Sequence, residues 1–189
     1  MKNPLNKRLP REFRKDFGKY LVIFLLLVIT IGFVSGFLVA DGSMIKAYNE
    51  GIDKYNTENG HFRTSEKMND AQIQSVEENG IRIYDNFYLE QDLTNGSTMR
   101  IFANREQVNL ACLMEGVFPK AANEIAIDRM YADNNKISIG DTLKSDTQSW
   151  KVTGFIALPD YSCLFQNNND SMFDSVKFGI GVVTSEAFE

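Results

Sequence analysis

Between Tyr20 and Ala40 the chain reads YLVIFLLLVITIGFVSGFLVA, 21 residues without a charge. As a helix, at about 1.5 Å per residue, the run extends ~31 Å, close to one hydrocarbon core. It predicts a transmembrane helix over 20–40. In the stretch 9–20, LPREFRKDFGKY, the apolar residues Leu9, Phe13 and Phe17 fall at i, i+4 and i+8. Arg11, Arg14 and Lys15 fall elsewhere, and Pro10 suits a first helical turn. Residues 1–19 are therefore expected to form a basic amphipathic elbow on the membrane surface. A positive flank without fixed structure is the plainer alternative. Beyond Ala40, Met44, Ile45, Tyr48, Ile52 and Tyr55 recur at helical spacing with no Pro between them. The helix is expected to continue as a stalk over 41–59, weakened at Gly42 and Gly51 and stopped at Asn59-Gly60.

From residue 60 to 189 the periodicity alternates between helix and strand. His61 to Ser65 reads as a short strand. Asn69 can cap a helix over 70–79, with Gln72 at N3, Met68 and Ile73 placed as a hydrophobic staple, and Gly80 at C′. Ile81, Ile83, Phe87 and Leu89 share one parity, which predicts a strand. Asn95-Gly96 signals a turn, and Thr98 to Ala103 a return strand. Ile125 and Ile127 alternate with Glu124, Ala126 and Asp128; a short helix around Arg129–Asp133 follows, with Asp128 as its cap. Ile137 and Ile139 lead to the turn Gly140-Asp141 and Leu143. Trp150, Val152 and Gly154 form another strand, and Phe178 to Thr184 a last one. Helices and strands mix without regular βαβ repetition, so the outer domain is expected to be α+β.

Charge orients this layout. Residues 1–19 hold seven Lys/Arg against Glu12 and Asp16, and the rest holds 13 Lys/Arg against 23 Asp/Glu, a net of −10. A basic flank before an uncharged span places the N-terminus in the cytoplasm and residues 60–189 outside. A domain this acidic argues against nucleic acid as partner. A signal peptide is the competing interpretation, but its apolar core would be shorter, and Ala40-Asp41-Gly42 is a poor cleavage site. A secreted enzyme cleaved near Gly42 would follow from that competitor. Cys112 and Cys163 both fall in the outer domain, where a disulfide is permitted; two buried thiols are the alternative.

The chemistry of common enzymes is missing from the chain. It has no GxxxxGK[ST] or GxSxG, and its single histidine, His61, rules out HExxH and His-based triads. His61 reads as an exposed loop residue. The run Asn167 to Asp170, with Asp174 nearby, has oxygen ligands but lacks the glycine and closing glutamate of a calcium loop. No catalytic residue, cofactor or metal site is expected. Within the span, Gly32, Gly36 and Ala40 line one helix face and are candidates for close helix packing.

Several motifs together resemble ABC-transporter permeases of the FtsX/MacB type. The opening resembles the family's: a basic elbow, then IFLLLVITIGFVSGFLVADGSM. The stretch Leu113 to Leu143 resembles its outer-domain pattern, in which Gly-x-x-Pro precedes a strand opening with Asn-Glu, then a short helix, then Gly-Asp-Thr. The matching residues are Gly116, Pro119, Asn123, Glu124, Gly140, Asp141 and Thr142, followed by Gly154 in the strand Lys151 to Phe155. As physical elements these residues are scaffold: Gly116 and Pro119 shape a turn and Gly140-Asp141 reverses a strand.

The resemblance implies a membrane protein without enzymatic activity of its own. Its partners would be the lipid bilayer, a separate cytoplasmic ABC ATPase subunit, and a second permease copy or homologous permease. It would couple nucleotide hydrolysis to an extracytoplasmic domain for export or mechanotransmission. The family carries further membrane helices, so the native product is expected to continue past Glu189. The alternative is a single-span anchor presenting an extracytoplasmic binding or sensing domain.

Overall fold

The structure is a computed structural model. It describes the backbone of residues 5–167 and 169–189, and the side chains of these except 5–7 and 9. Lys2, Asn168 and the side chains of Lys7 and Leu9 therefore lie outside the described residues. The chain forms two compact units, Met1–Glu50 and Gly51–Glu189.

The first unit is helical. Helix α1 spans Leu5–Lys15 and carries Arg14 and Lys15 in its last turn, where they face the negative end of the helix dipole. It starts four residues before the expected Leu9, so Pro10 sits inside the helix rather than in its first turn. There Pro10 lacks the N–H that would bond the carbonyl four residues back. A bend at Asp16 separates α1 from α2, Phe17–Lys54. The Asp16 carbonyl accepts from the Lys19 and Tyr20 N–H groups, and its carboxylate holds Lys19 Nζ at 2.9 Å. Phe13 stacks on Tyr20 with ring centroids 5.5 Å apart and meets Phe17 edge-on at 5.7 Å.

Helix α2 runs unbroken for 38 residues, so the apolar span passes into its polar continuation without a break. It ends at Lys54, five residues before Asn59-Gly60, where the chain turns through Asn56 at φ +45°. It is long and apolar enough to cross a membrane, with a window of mean hydropathy 2.9, and none of its residues is buried. Thr30 Oγ1 donates to the Leu26 carbonyl at 2.7 Å, so the hydroxyl inside the apolar run is satisfied within the helix.

The second unit is a curled seven-stranded sheet with short helices, a mixed α+β fold. Its strands are β1 (Leu89–Asp92), β2 (Thr98–Ala103), β3 (Cys112–Gly116), β4 (Glu124–Asp128), β5 (Thr142–Lys144), β6 (Ser149–Ala157) and β7 (Phe178–Val183). The spatial order is β1-β2-β7-β4-β6-β3, with β5 also pairing β6. β2/β7 and β4/β6 are parallel, and the other pairs are antiparallel. Helices α3 (Asp70–Glu77), α4 (Arg129–Asn135) and α5 (Ser185–Phe188) complete the unit, with a 3-10 turn at Pro159–Tyr161.

Helix α3 carries the expected capping box: Asn69 Oδ1 accepts from Gln72 N–H, and Gln72 Oε1 from Asn69 N–H, both at 3.0 Å. It ends at Glu77 rather than at residue 79 and its cap is Glu78, so Gly80, at φ +80°, lies one residue beyond C′ and not at it. No residue of α3 is buried. The expected strand at His61–Ser65 is irregular and exposed, with no ladder partner. Only the end of the second expected strand forms. β1 begins at Leu89, which pairs with Ile101; β2 ends two residues later at Ala103, opposite Phe87, so residues 81–86 lie beyond its end, and Phe87 and Tyr88 stay off the ladder. Cys112 is half-buried and Cys163 exposed, and both are free thiols rather than a bridge or a buried pair.

The core lies where β4, β6 and β7 meet α4. Ile125, Ala126, Ile127, Val152, Ile156, Ile180 and Val182 are fully buried. Alternation on β4 fails, because Ala126 and Asp128 are buried as well as the two isoleucines: a central strand is covered on both faces. Tyr131, on α4 and fully buried, lies flat against β7 at Gly179. A Cβ at Gly179 would meet the ring at 2.5 Å. The Tyr131 hydroxyl contacts Ser97 Oγ at 2.6 Å and accepts from Asn95 Nδ2 at 3.1 Å, tying α4 to the Asn95-Gly96 turn.

Gly179→Ala should therefore destabilise the sheet unit by about 1–3 kcal/mol through overpacking against Tyr131. Chemical denaturation followed by the buried Trp150 measures this, and an unchanged midpoint would show that the ring moves aside freely.

Candidate functional site

The motif residues of the sheet unit come together around β6. Gly116, at φ +78°, pairs with Gly154 across the β3/β6 ladder. A Cβ on Gly116 would collide with the Thr153 carbonyl oxygen and stand 2.8 Å from Gly154 Cα. One on Gly154 would meet the Val117 and Glu115 carbonyl oxygens at 2.7 and 2.8 Å. Two backbones touch here, and no side chain fits between them. Thr153 is an extra residue in β6, since the β4 register steps from Ile125↔Val152 to Ala126↔Gly154. Its freed carbonyl accepts from Val117 N–H at 3.0 Å.

The acidic motif residues bond to nearby backbone. Glu124 Oε2 accepts from the Lys120 and Ala121 amides at 2.8 and 3.2 Å, which folds the Pro119–Asn123 turn back onto β4. These amides, first Lys120 and then Ala121, hold its carboxyl below the ordinary range. The Asn123 carbonyl accepts from Lys151 N–H at 2.8 Å. Asp141 Oδ2 accepts from Ser138 N–H at 2.8 Å, closing the turn in which Gly140 sits at φ +100°. Gly140 donates to Val152, Val152 donates to Asp141, and Thr142 pairs with Lys151 to start β5. Asp128 Oδ1 caps α4 by accepting from Tyr131 N–H at 3.0 Å. Burial pushes its carboxyl up, against the pull of the Tyr131 and Met130 amides. These carboxylates hold turns and a helix end, and none is paired with a second acid for proton transfer.

On α2, Gly32, Gly36 and Ala40 are exposed, and a Cβ added at Gly32 or Gly36 would meet nothing within 4 Å. His61 is exposed and rests on Glu58, with Nδ1 2.7 Å from Oε1. In the Asn167 loop, Asp170 accepts from Asn167 N–H and Asp174 from Val176 and Lys177 N–H. Among the described residues no group of three or more His, Cys, Asp or Glu is placed to hold a metal ion. Open depressions lie along Glu77–Tyr84 and Thr64–Gln72, and neither includes a residue of the β6 scaffold.

A second polar centre, on β2, has no motif. Arg100 is buried and gives Nε and Nη2 to Glu90 Oε1 at 3.0 and 2.6 Å, Nη1 to the Tyr161 hydroxyl at 2.8 Å and Nη2 to the Gln166 carbonyl at 2.8 Å. Its guanidinium lies 4.4 Å from the Tyr88 ring centroid and 5.0 Å from that of Phe178. Desolvation works against this charge, but the bonds to Tyr161 and Glu90 outweigh it and raise the pKa of Arg100 above its ordinary value. Burial likewise pushes the Tyr161 phenol up, opposed by Arg100. Arg105 pairs with Asp160 at 2.7 Å, and both side chains are nearly buried. The one hint in the sequence is an arginine inside the apolar strand Thr98–Ala103, a position that requires a partner. Nothing local names Glu90, Tyr161 or Asp160.

No family model, no curated protein and no solved structure matches this chain.

Replacing the two glycines separates their roles. Gly140→Ala meets open space and carries only the backbone cost of positive φ, about 1 kcal/mol. Gly116→Ala adds a backbone collision and should cost at least about 2–3 kcal/mol more, measured by chemical denaturation. Equal losses would show that β3 shifts to make room.

Glu124 and Asp128 affect stability against pH with opposite signs. The pKa of Glu124 is lowered by folding, so its contribution is present above the ordinary 4.5 and lost as pH falls through the folded value. The pKa of Asp128 is raised, so its contribution is full below the ordinary 3.8 and lost as pH rises through the folded value. Glu124→Gln removes only the first effect and should reduce the stability lost on acidification from about pH 7 to about pH 3. Melting temperatures across that range test this; an unchanged acid limb would mean that Glu124 has no part in it.

Proposed function

We propose that this chain is the N-terminal portion of an ABC-transporter permease subunit of the FtsX/MacB type, with no catalytic activity of its own. The observation that carries this is α2: one unbroken helix in which an uncharged 21-residue span passes directly into a polar stretch, followed by a sheet domain. Lipid covers the span. The basic helix α1 and the aromatic group Phe13, Phe17 and Tyr20 lie in the cytoplasmic interface, where cations and amphipathic rings are favoured. The sheet domain lies outside the cell membrane and, at its net negative charge, takes no nucleic acid. A separate cytoplasmic ATPase supplies the energy, and a second permease, identical or homologous, completes the pore-side assembly. The scaffold role of Gly116, Pro119, Asn123, Glu124, Gly140, Asp141, Thr142 and Gly154 agrees with a domain that transmits force or displays a surface rather than performing chemistry.

A second reading, a single-span anchor for an extracytoplasmic binding or sensing domain, is kept by the one candidate span among the described residues. Reading the gene beyond Glu189 separates the two: an open frame with further apolar spans supports the permease, and a stop codon supports the anchor.

The full gene product in detergent should co-purify with an ATPase encoded beside it and run as a dimer of permease subunits. Gly36→Leu should weaken that dimer if the Gly32/Gly36/Ala40 face carries the helix contact, because leucine holds the backbones apart. Absence of both ATPase and dimer in the parent would sink the permease reading. A Gly36→Leu protein that assembles normally would place that face against lipid.

A further inference from the structure

The residues that follow α2 are held to the sheet domain by hydrogen bonds centred on Asn109. Asn109 is 1% exposed and sits at φ +50°, opposite Asn56 at φ +45°. The Asn109 N–H donates to the Asn56 carbonyl at 3.0 Å, and the Leu110 N–H to the Tyr55 carbonyl at 2.9 Å. The side chains reciprocate. Asn109 Nδ2 donates to Glu58 Oε2 at 2.6 Å while its Oδ1 accepts from Glu58 N–H at 2.9 Å. Asn56 Nδ2 donates to the Gln107 carbonyl. Tyr55 Oη donates to Cys112 Sγ at 2.8 Å. Glu58 uses its other oxygen for His61.

Apolar burial contributes little to this joint. No residue from Tyr55 to His61 is buried, and none packs against the hydrophobic core. On the sheet side, the segment between β2 and β3 rests on Arg105, which reaches the Asn109 carbonyl at 3.4 Å and Asp160 at 2.7 Å. Arg105 Nε and Nη2 are buried without a hydrogen-bond partner among the described residues, and the guanidinium lies 4.4 Å from the Phe102 ring centroid. Two non-glycine residues at positive φ, a buried cation with unsatisfied donors and an absence of core packing all fall in one place. Regions of that kind open before the sheet they attach to.

We propose that Tyr55–His61 is a releasable strap, which opens from residues 104–112 as a cooperative unit while the sheet stays folded. Opening detaches these seven residues, about 23 Å of chain when extended, from residues 104–112. Asn109 is the closing residue, because its side chain and backbone together make three of the bonds that hold the strap. The device goes beyond the permease reading and does not depend on it: strap opening belongs to this chain alone and needs no ATPase.

Hydrogen exchange of the full chain in detergent micelles, read by mass spectrometry, tests the strap. The reporters are peptides covering 55–61 and 106–111, which contain the Glu58, Asn109 and Leu110 amides; peptides of β4 and β7 are the control. The strap peptides should exchange together and well before the control peptides. Asn109→Gly keeps the positive φ but deletes both side-chain bonds, and should speed strap exchange about tenfold with β4 and β7 unchanged. Strap amides that exchange only along with β4 and β7, or a variant that speeds all peptides equally, would overturn the proposal. If Asn109→Gly does not fold, Glu58→Gln keeps the shape and one acceptor. Selective acceleration at the strap supports release, and no acceleration or a uniform one overturns it.

Discussion

At Gly116–Gly154, β3 lies against β6 with no side chain between the two backbones, and much of the sheet unit depends on that closeness. β6 is the partner of β3, β4 and β5, so it carries three ladders. Its extra residue, Thr153, frees a carbonyl for Val117 and sets the register in which Gly154 meets both Ala126 and Gly116. Glu124 and Asp141 then fasten the turns that enter β4 and β5. The motif residues scattered from Gly116 to Gly154 are thus one structural unit, whose members serve strand approach or turn closure.

A second close approach completes the core. The Tyr131 ring replaces the side chain that Gly179 lacks, and its hydroxyl reaches Ser97, just before the first residue of β2. α4 is held at that position because Asp128 both ends β4 and caps the helix, a buried acid held by backbone amides. Buried charge is treated differently at the two arginines. Arg100 finds a carboxylate, a phenol, a carbonyl and two aromatic faces, so its burial is compensated. Arg105 finds one carboxylate and a ring, with two donors unmet. The first fastens the Pro159–Gln166 segment to β1 and β2; the second sits beneath the strap.

Under the proposed reading the two units answer to different solvents. α2 exposes Leu, Ile, Phe and Val on every side, an arrangement that water penalises and lipid accepts. The sheet unit buries its apolar residues between strands and α4 and leaves most of its acids outside, Asp128 and Asp160 excepted. Under the proposed reading, the strap is where the polar end of α2 hands over to a water-solvated domain, and a hydrogen-bonded joint there can open without exposing a core.

The sequence by itself determined what depends on neighbours along the chain. An uncharged run of 21 residues is a long helix whatever it touches, because each backbone bond closes four residues back. The Asn69 capping box, the Asp128 cap, the Asn95-Gly96 turn and the strands at Thr98, Glu124, Trp150 and Phe178 were legible for the same reason. Local pattern failed where a partner was needed. Ile81 to Phe87 has strand parity, but β2 ends opposite Phe87 and leaves the residues before it without a partner; His61–Ser65 has no partner strand at all. β4 lost its alternation because two neighbouring strands and a helix cover it. The motif residues were legible as scaffold, but not that Gly116 and Gly154, 38 positions apart, would touch. Asn109, Glu58, Arg105 and Asp160 were invisible, since nothing beside them in the chain distinguishes them from surface polar residues. Only the tertiary structure brings them together, because a reciprocal pair over 51 positions of chain is set by how the sheet closes and not by any local preference.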